Sequence, residues 1–121
     1  MDTMKDCTVY KTLTIIGKKW TLLILFELDR GSAPYKRFNE LRAALDTITP
    51  KVLVQRLREL EDDGLVVRRV DTTHIPITSE YALTESGTAL LRVVAAIKEW
   101  GLAYKFDNEA CRCTTCKMCG I

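Results

Sequence analysis

The sequence predicts an α+β domain, mainly helical, with a two-stranded β-hairpin inserted before a long last helix. Three observations carry this expectation. Apolar residues recur at helical spacing through the first half of the chain. A helix with unusually complete boundary signals spans Pro50 to about Asp63. Two short runs with strand character, Val66 to Val70 and Ser79 to Leu83, follow it on either side of a loop. The length of 121 residues suits one domain with one core, and 47% apolar with 28% charged residues excludes a disordered composition.

The elements follow in order. Val9, Leu13 and Ile16 share a face, so Cys7 to Ile16 reads as a helix, with Gly17 as its stop. Trp20 to Leu28 is a short apolar run ended by Gly31, Ser32 and Pro34. It is expected as a buried helix, because a strand there would have no near partner in sequence. Phe38 to Leu45 places Phe38, Leu41 and Leu45 on one face of a third helix.

For the fourth helix, Thr49 is a good N-cap, and Pro50 falls at the first helical position, where its missing N–H costs nothing. Ile48 and Leu53 have the spacing of a hydrophobic staple. Gly64 suits the left-handed position past the end, with Leu65 packing back on Leu60. Thr84 then caps a last helix reaching roughly Tyr104.

Two short helices, a tight turn and a following hairpin make a winged helix-turn-helix plan. In the fourth helix, Leu53, Leu57 and Leu60 form an inner stripe, and a rotation of about 100° per residue puts Lys51, Gln55 and Arg58 opposite. That outer stripe has major-groove chemistry. Lys and Arg donate to guanine or phosphate, and Gln pairs with adenine. Thr49 and the first-turn amides suit a phosphate, and Lys36 and Arg37 are placed to grip the backbone. From Tyr35 to Arg58 six cations face two anions, a local +4 in a chain of net +2. From Leu60 onward the balance is −2. Such a segment fits either a polyanion contact or a solvated helix face; the capped helix and hairpin favour DNA.

These residues resemble the HxlR-type group of winged-helix regulators, related to the MarR-type proteins. The matching stretches are Ile16 to Leu25, Arg37 to Leu41, Thr49 to Val66, Tyr81 to Gly87 and Glu99 to Gly101. The resemblance implies a homodimer built from the first and last helices. It also implies a palindromic double-stranded DNA operator, with Pro50 to Asp63 as recognition helix and repression as the commoner outcome. Leu90, Leu91, Val93, Val94, Ala95, Ala96 and Ile97 make the last helix apolar almost all round, which fits a dimer. Two departures stand out. Thr8 replaces a proline common after the N-terminal cysteine, and the wing from Ile75 to Tyr81 lacks the family's arginine. Any wing contact has to come from Arg69 or His74.

The resemblance further implies that a cysteine at the position of Cys7 senses oxidants or electrophiles. A helix N-terminus with Lys5 and Lys11 nearby favours the thiolate, while Asp6 opposes it. The competing reading is a small buried core residue. The tail holds Cys111, Cys113, Cys116 and Cys119 in nine residues, which neither the fold nor the family explains. Four thiolates suit tetrahedral zinc or an iron–sulfur cluster, although the spacing matches neither the paired zinc knuckle nor the bacterial ferredoxin run. Free or disulfide-forming thiols, or no role at all, are the alternatives. The division expected is a winged-helix domain over 1–105 and a cysteine-rich tail over 106–121.

Met1 to Asp6 lacks signal-peptide character, and the apolar run from Trp20 to Phe26 is too short to span a bilayer, so a cytoplasmic, membrane-free protein is expected. His74 is the only histidine, and no nucleophile motif or phosphate-binding glycine loop marks an enzyme. The rival functional class is a winged-helix module that binds protein or carries electrons through a metal or iron–sulfur site in the tail.

Overall fold

The computed structural model describes residues 6–112. Along them run α1 (Thr8–Ile16), α2 (Thr21–Asp29), β1 (Lys36–Arg37), α3 (Phe38–Leu45), α4 (Pro50–Asp62), β2 (Val66–Asp71), β3 (Thr78–Leu83), α5 (Glu85–Tyr104) and α6 (Glu109–Arg112). Each expected helix and strand is present, with boundaries within a residue or two. The winged-helix plan is therefore the observed one.

The sheet differs from expectation. It has three strands in the order β1-β3-β2, not two. Lys36 lies opposite Tyr81 and Arg37 opposite Glu80. A strand of two residues is too short to show any period in the sequence. Lys36 is held there by its ammonium group, which donates to the carbonyls of Glu27 and Arg30 at the end of α2. Glu27 O also accepts from Arg30 N at 3.3 Å, and a cation beside these helix-end carbonyls complements the helix dipole.

Between α1 and α2 the chain turns at Trp20, whose φ of 81° is rare for a bulky residue. Its ring packs against the core. The sequence reading has Gly17 as the break; Gly17 is indeed the C-cap of α1, but it keeps a right-handed conformation. Helix α2 buries Thr21, Ile24, Leu25, Glu27 and Leu28, as expected of a helix inside the core.

The core joins Ile24, Leu25, Leu41, Leu53, Leu57, Leu60 and Val66, each under 2% exposed. It lies between α2, α3, α4 and the sheet. Both ends of α4 are fixed as the sequence indicates. The Thr49 hydroxyl oxygen accepts from Val52 N at 3.2 Å. Gly64 takes φ 79°, Gly64 N donates to Glu61 O at 3.1 Å, and Leu65 N donates to Leu60 O at 2.9 Å. This is the hydrogen-bond pair of a Schellman motif.

Directly beyond, the Thr84 and Ser86 hydroxyls donate to Gly64 O at 2.6 and 2.8 Å, and Thr84 N donates to Leu65 O at 3.1 Å. The Thr84 oxygen in turn accepts from Gly87 N at 3.2 Å, capping α5. A Cβ on Gly87 would sit 2.2 Å from Leu65 O, so only glycine fits this crossing. Gly87→Ala is expected to destabilise the protein by about 1–3 kcal/mol through overpacking against backbone. Urea unfolding checks this; an unchanged midpoint would show that the junction yields freely.

Candidate nucleic-acid interface

Helices α3 and α4 are joined by a tight turn in which Asp46 takes φ 50°. The buried stripe Leu53, Leu57 and Leu60 fixes how α4 is rotated, and that rotation leaves Lys51, Gln55 and Arg58 exposed. Val54, 40% exposed, lies on the same surface. The Thr49 hydroxyl accepts a backbone N–H, so its own proton remains for an anion at the helix N-terminus. A concave surface between α3, α4 and the hairpin is lined by Arg37, Asn39, Val54, Arg58, Arg68 and Ile77, among others.

The strand pairing sorts the hairpin arginines. Directly opposite residues share a sheet face. Arg68 lies opposite Tyr81, and Arg69 opposite Glu80. Arg68 faces the concave surface, its guanidinium 2.9 Å from Ser79 Oγ. Arg69 is on the other face, where it donates to Glu80 Oε2 at 2.8 Å and stacks 3.7 Å from the Tyr35 ring centroid. The sequence offers Arg69 or His74 for a wing contact; of the two hairpin arginines it is Arg68 that the structure turns toward the groove. The signal was present in strand parity, since Val66, Arg68 and Val70 alternate with Val67 and Arg69.

Lys36 also departs from its expected place. Its ammonium is directed into the protein, and burial lowers its pKa, against the attraction of Glu27. Arg37 is half-exposed, with Asp71 and Glu80 carboxylates each 3.7 Å away. Arg56, counted in the basic segment, is bound too: it donates to Lys19 O at 3.2 Å and pairs with Glu59 at 3.1 Å. Lys18 joins Glu59 at 3.2 Å, so α4 is tied to the α1–α2 junction. Burial acts to raise the Glu59 pKa, but the Lys18 hydrogen bond and the charge of Arg56 outweigh it and lower the value.

His74 stands exposed on the hairpin loop, 2.8 Å from Thr73 Oγ1 and 3.4 Å from Asp71 Oδ2. Cys7 is the exposed N-cap residue of α1, not a core residue. Cys111 is half-buried on α6, and its N–H donates to Asn108 Oδ1 at 3.1 Å. Cys113, Cys116 and Cys119 lie outside the described residues. Among the described residues no group of three or more His, Cys, Asp or Glu could hold a metal ion, and no helix is long and apolar enough to cross a membrane.

A family model described as HxlR-like helix-turn-helix matches residues 15–109. The chain is 43% identical over 104 residues to YdeP of Bacillus subtilis strain 168, an uncharacterized HTH-type transcriptional regulator, covering 86% of this chain and 78% of that one. Among solved structures, the reduced form of the transcriptional regulator YodB from B. subtilis superposes with a TM-score of 0.72 at 33% identity, covering 85% of this chain and 98% of that one. The redox regulator HypR in its reduced form gives a TM-score of 0.67 at 43% identity, with coverage of 80% and 92%.

Asp71 accepts from the Thr73 hydroxyl and from Thr73 N, and these bonds lower its pKa from 3.8 to about 2. Because the folded value lies below the unfolded one, the stabilisation is complete above 3.8 and is lost as pH falls through about 2. Carboxyl chemical shifts are expected to give a midpoint near 2 for Asp71. A midpoint at the ordinary value would remove the cap.

Proposed function

The chain belongs to the HxlR-like helix-turn-helix family of DNA-binding transcriptional regulators, and on that footing we propose that it is a homodimeric repressor of a palindromic operator. The observation that carries the reading is the stripe of Lys51, Gln55 and Arg58, exposed on a helix whose opposite face is locked into the core. Lys51, Gln55 and Arg58 contact base edges and adjoining phosphates in the major groove. Thr49 and the first-turn amides of α4 take a phosphate. Arg37 and Arg68 hold the backbone beside it, with His74 at the edge, while Lys36 and Arg69 serve the fold.

The dimer is supported by apolar side chains left exposed on α1 and α5. Val9 is 66%, Leu13 55%, Val93 50%, Ile97 50% and Trp100 55% exposed in the single chain. Large apolar side chains exposed together on two helices are suited to a protein–protein contact. Two such subunits place two copies of α4 on half-sites related by symmetry. A dimer seated on a promoter blocks access to it, which favours repression. The protein works in the cytoplasm, beside the DNA.

Reaction of Cys7 with an oxidant or electrophile is proposed as one control. Its exposed place at the start of a dimer helix supports this, as does the similarity to a protein named as a redox regulator. Cys111, Cys113, Cys116 and Cys119 are proposed as a thiolate set for zinc or an iron–sulfur cluster, on the chemistry of four cysteines in nine residues. The tail over 106–121 is then an addition to a regulator domain over 1–105.

Two measurements check these readings. In fluorescence anisotropy against a duplex selected from a random pool, Arg58→Ala is expected to cost about 1–3 kcal/mol of affinity and to relax specificity at one base pair. Affinity of the unaltered protein should fall steeply with salt, by a slope of about 0.9 for each phosphate contact. A salt-independent protein would instead be the interaction or electron-carrying module. For the tail, anaerobic visible spectra with elemental analysis should give either iron with sulfide or colourless zinc. Metal-free protein would leave Cys7 as the sole proposed sensor.

A further inference from the structure

The tip of the hairpin holds the most exposed large apolar side chain among the described residues. Ile75 is 99% exposed, and Ile77 is 64% exposed. Neither belongs to the core cluster, so neither is there to stabilise the fold. From Thr72 to Ser79 the chain carries no Lys or Arg. A wing that grips DNA through phosphate pairing would need such cations, and this one presents Ile75, Pro76 and Ile77 instead.

The tip is continuous with the recognition surface. Pro76 and Ile77 line the same concavity as Val54 and Arg58 of α4 and Arg68 of β2. Its acid is taken up at the base of the loop: Asp71 accepts from Thr73 and lies 3.7 Å from Arg37, so little free negative charge faces a polyanion. We propose that Ile75, Pro76 and Ile77 form an apolar wedge that enters the DNA minor groove next to the major groove occupied by α4. This rests on the DNA-binding reading above. Ile and Pro are side chains suited to pressing between base steps, where they partly unstack them and open the groove. Arg68, on the groove face of the same hairpin, then meets the phosphate at the entrance. Specificity at these flanking base pairs comes from how readily the step deforms, not from hydrogen bonds to bases.

The test uses the full-length protein and a duplex that it selects from a random pool. The unaltered protein, the Ile75→Ser/Ile77→Ser double variant and Arg58→Ala are compared. The double variant is expected to bind about tenfold or more weakly, because two apolar side chains lose their burial. Its slope of affinity against salt should stay unchanged, because no phosphate contact is lost. Hydroxyl-radical protection of the flanking minor groove should disappear, while melting temperature and dimer content hold. Arg58→Ala should show the opposite pattern, with flanking protection retained. Unchanged affinity and protection in the double variant would overturn the wedge and leave the recognition helix untouched. Loss of self-association in the double variant would overturn it in favour of a contact between copies of this chain. Absence of salt-dependent binding by the unaltered protein would overturn the DNA reading itself.

Discussion

Gly64 and Leu65 present their carbonyls to Thr84 and Ser86, and the arrangement of the proposed reading surface depends on that crossing. At one place α4 ends, β2 begins, β3 returns and α5 starts. The contact is between backbone carbonyls and two short side chains, with Gly87 pressed against Leu65 O. Short, direct bonds of this kind leave little play between α4 and α5. Should α5 pair with a second copy, the spacing of the two copies of α4 follows from this junction. A second tie runs from the other side, where Arg56 and Glu59 of α4 hold Lys18 and Lys19 in the turn between α1 and α2. The turn that follows α1, the helix capped by Cys7, is therefore in direct contact with α4.

The charges are divided as deliberately as the apolar groups. Several cations in and around the basic segment are bound within the protein: Lys36 by two carbonyls, Arg56 by Glu59, and Arg69 by Glu80 and Tyr35. Lys51 and Arg58 are left on the exposed stripe, with Arg68 on the groove face of the hairpin. A count of charge along the chain overstates the contact surface, because a cation that satisfies helix-end carbonyls is unavailable to a phosphate.

Much of the fold was legible because its determinants are local. Caps, a staple, a C-terminal glycine and an i, i+4 stripe specify α4 within a few residues of sequence, and the observed helix begins at Pro50 as they indicate. What escaped is non-local or short. Strand β1 exists only because β3 passes beside it. The turn at Trp20 carries a backbone conformation that no residue type announces. Lys36 and Arg69 take partners, the end of α2 and Glu80, that come near only in the folded chain. Arg68 was recoverable from strand alternation, had the pairing partner been known. The proposed base-contacting stripe was readable because one helix face is fixed by Leu53, Leu57 and Leu60 alone.

Amide hydrogen exchange of the full-length protein, with and without its selected duplex, tests the central claim most directly, since it reports contact residue by residue without any substitution. DNA is expected to slow exchange in the first turns of α4, around Lys51 to Arg58, and in the loop between β2 and β3, with α5 already slow in the free protein. Protection confined to α5 and the tail, with α4 and the hairpin unchanged, would contradict the assignment of α4 as the DNA-reading helix.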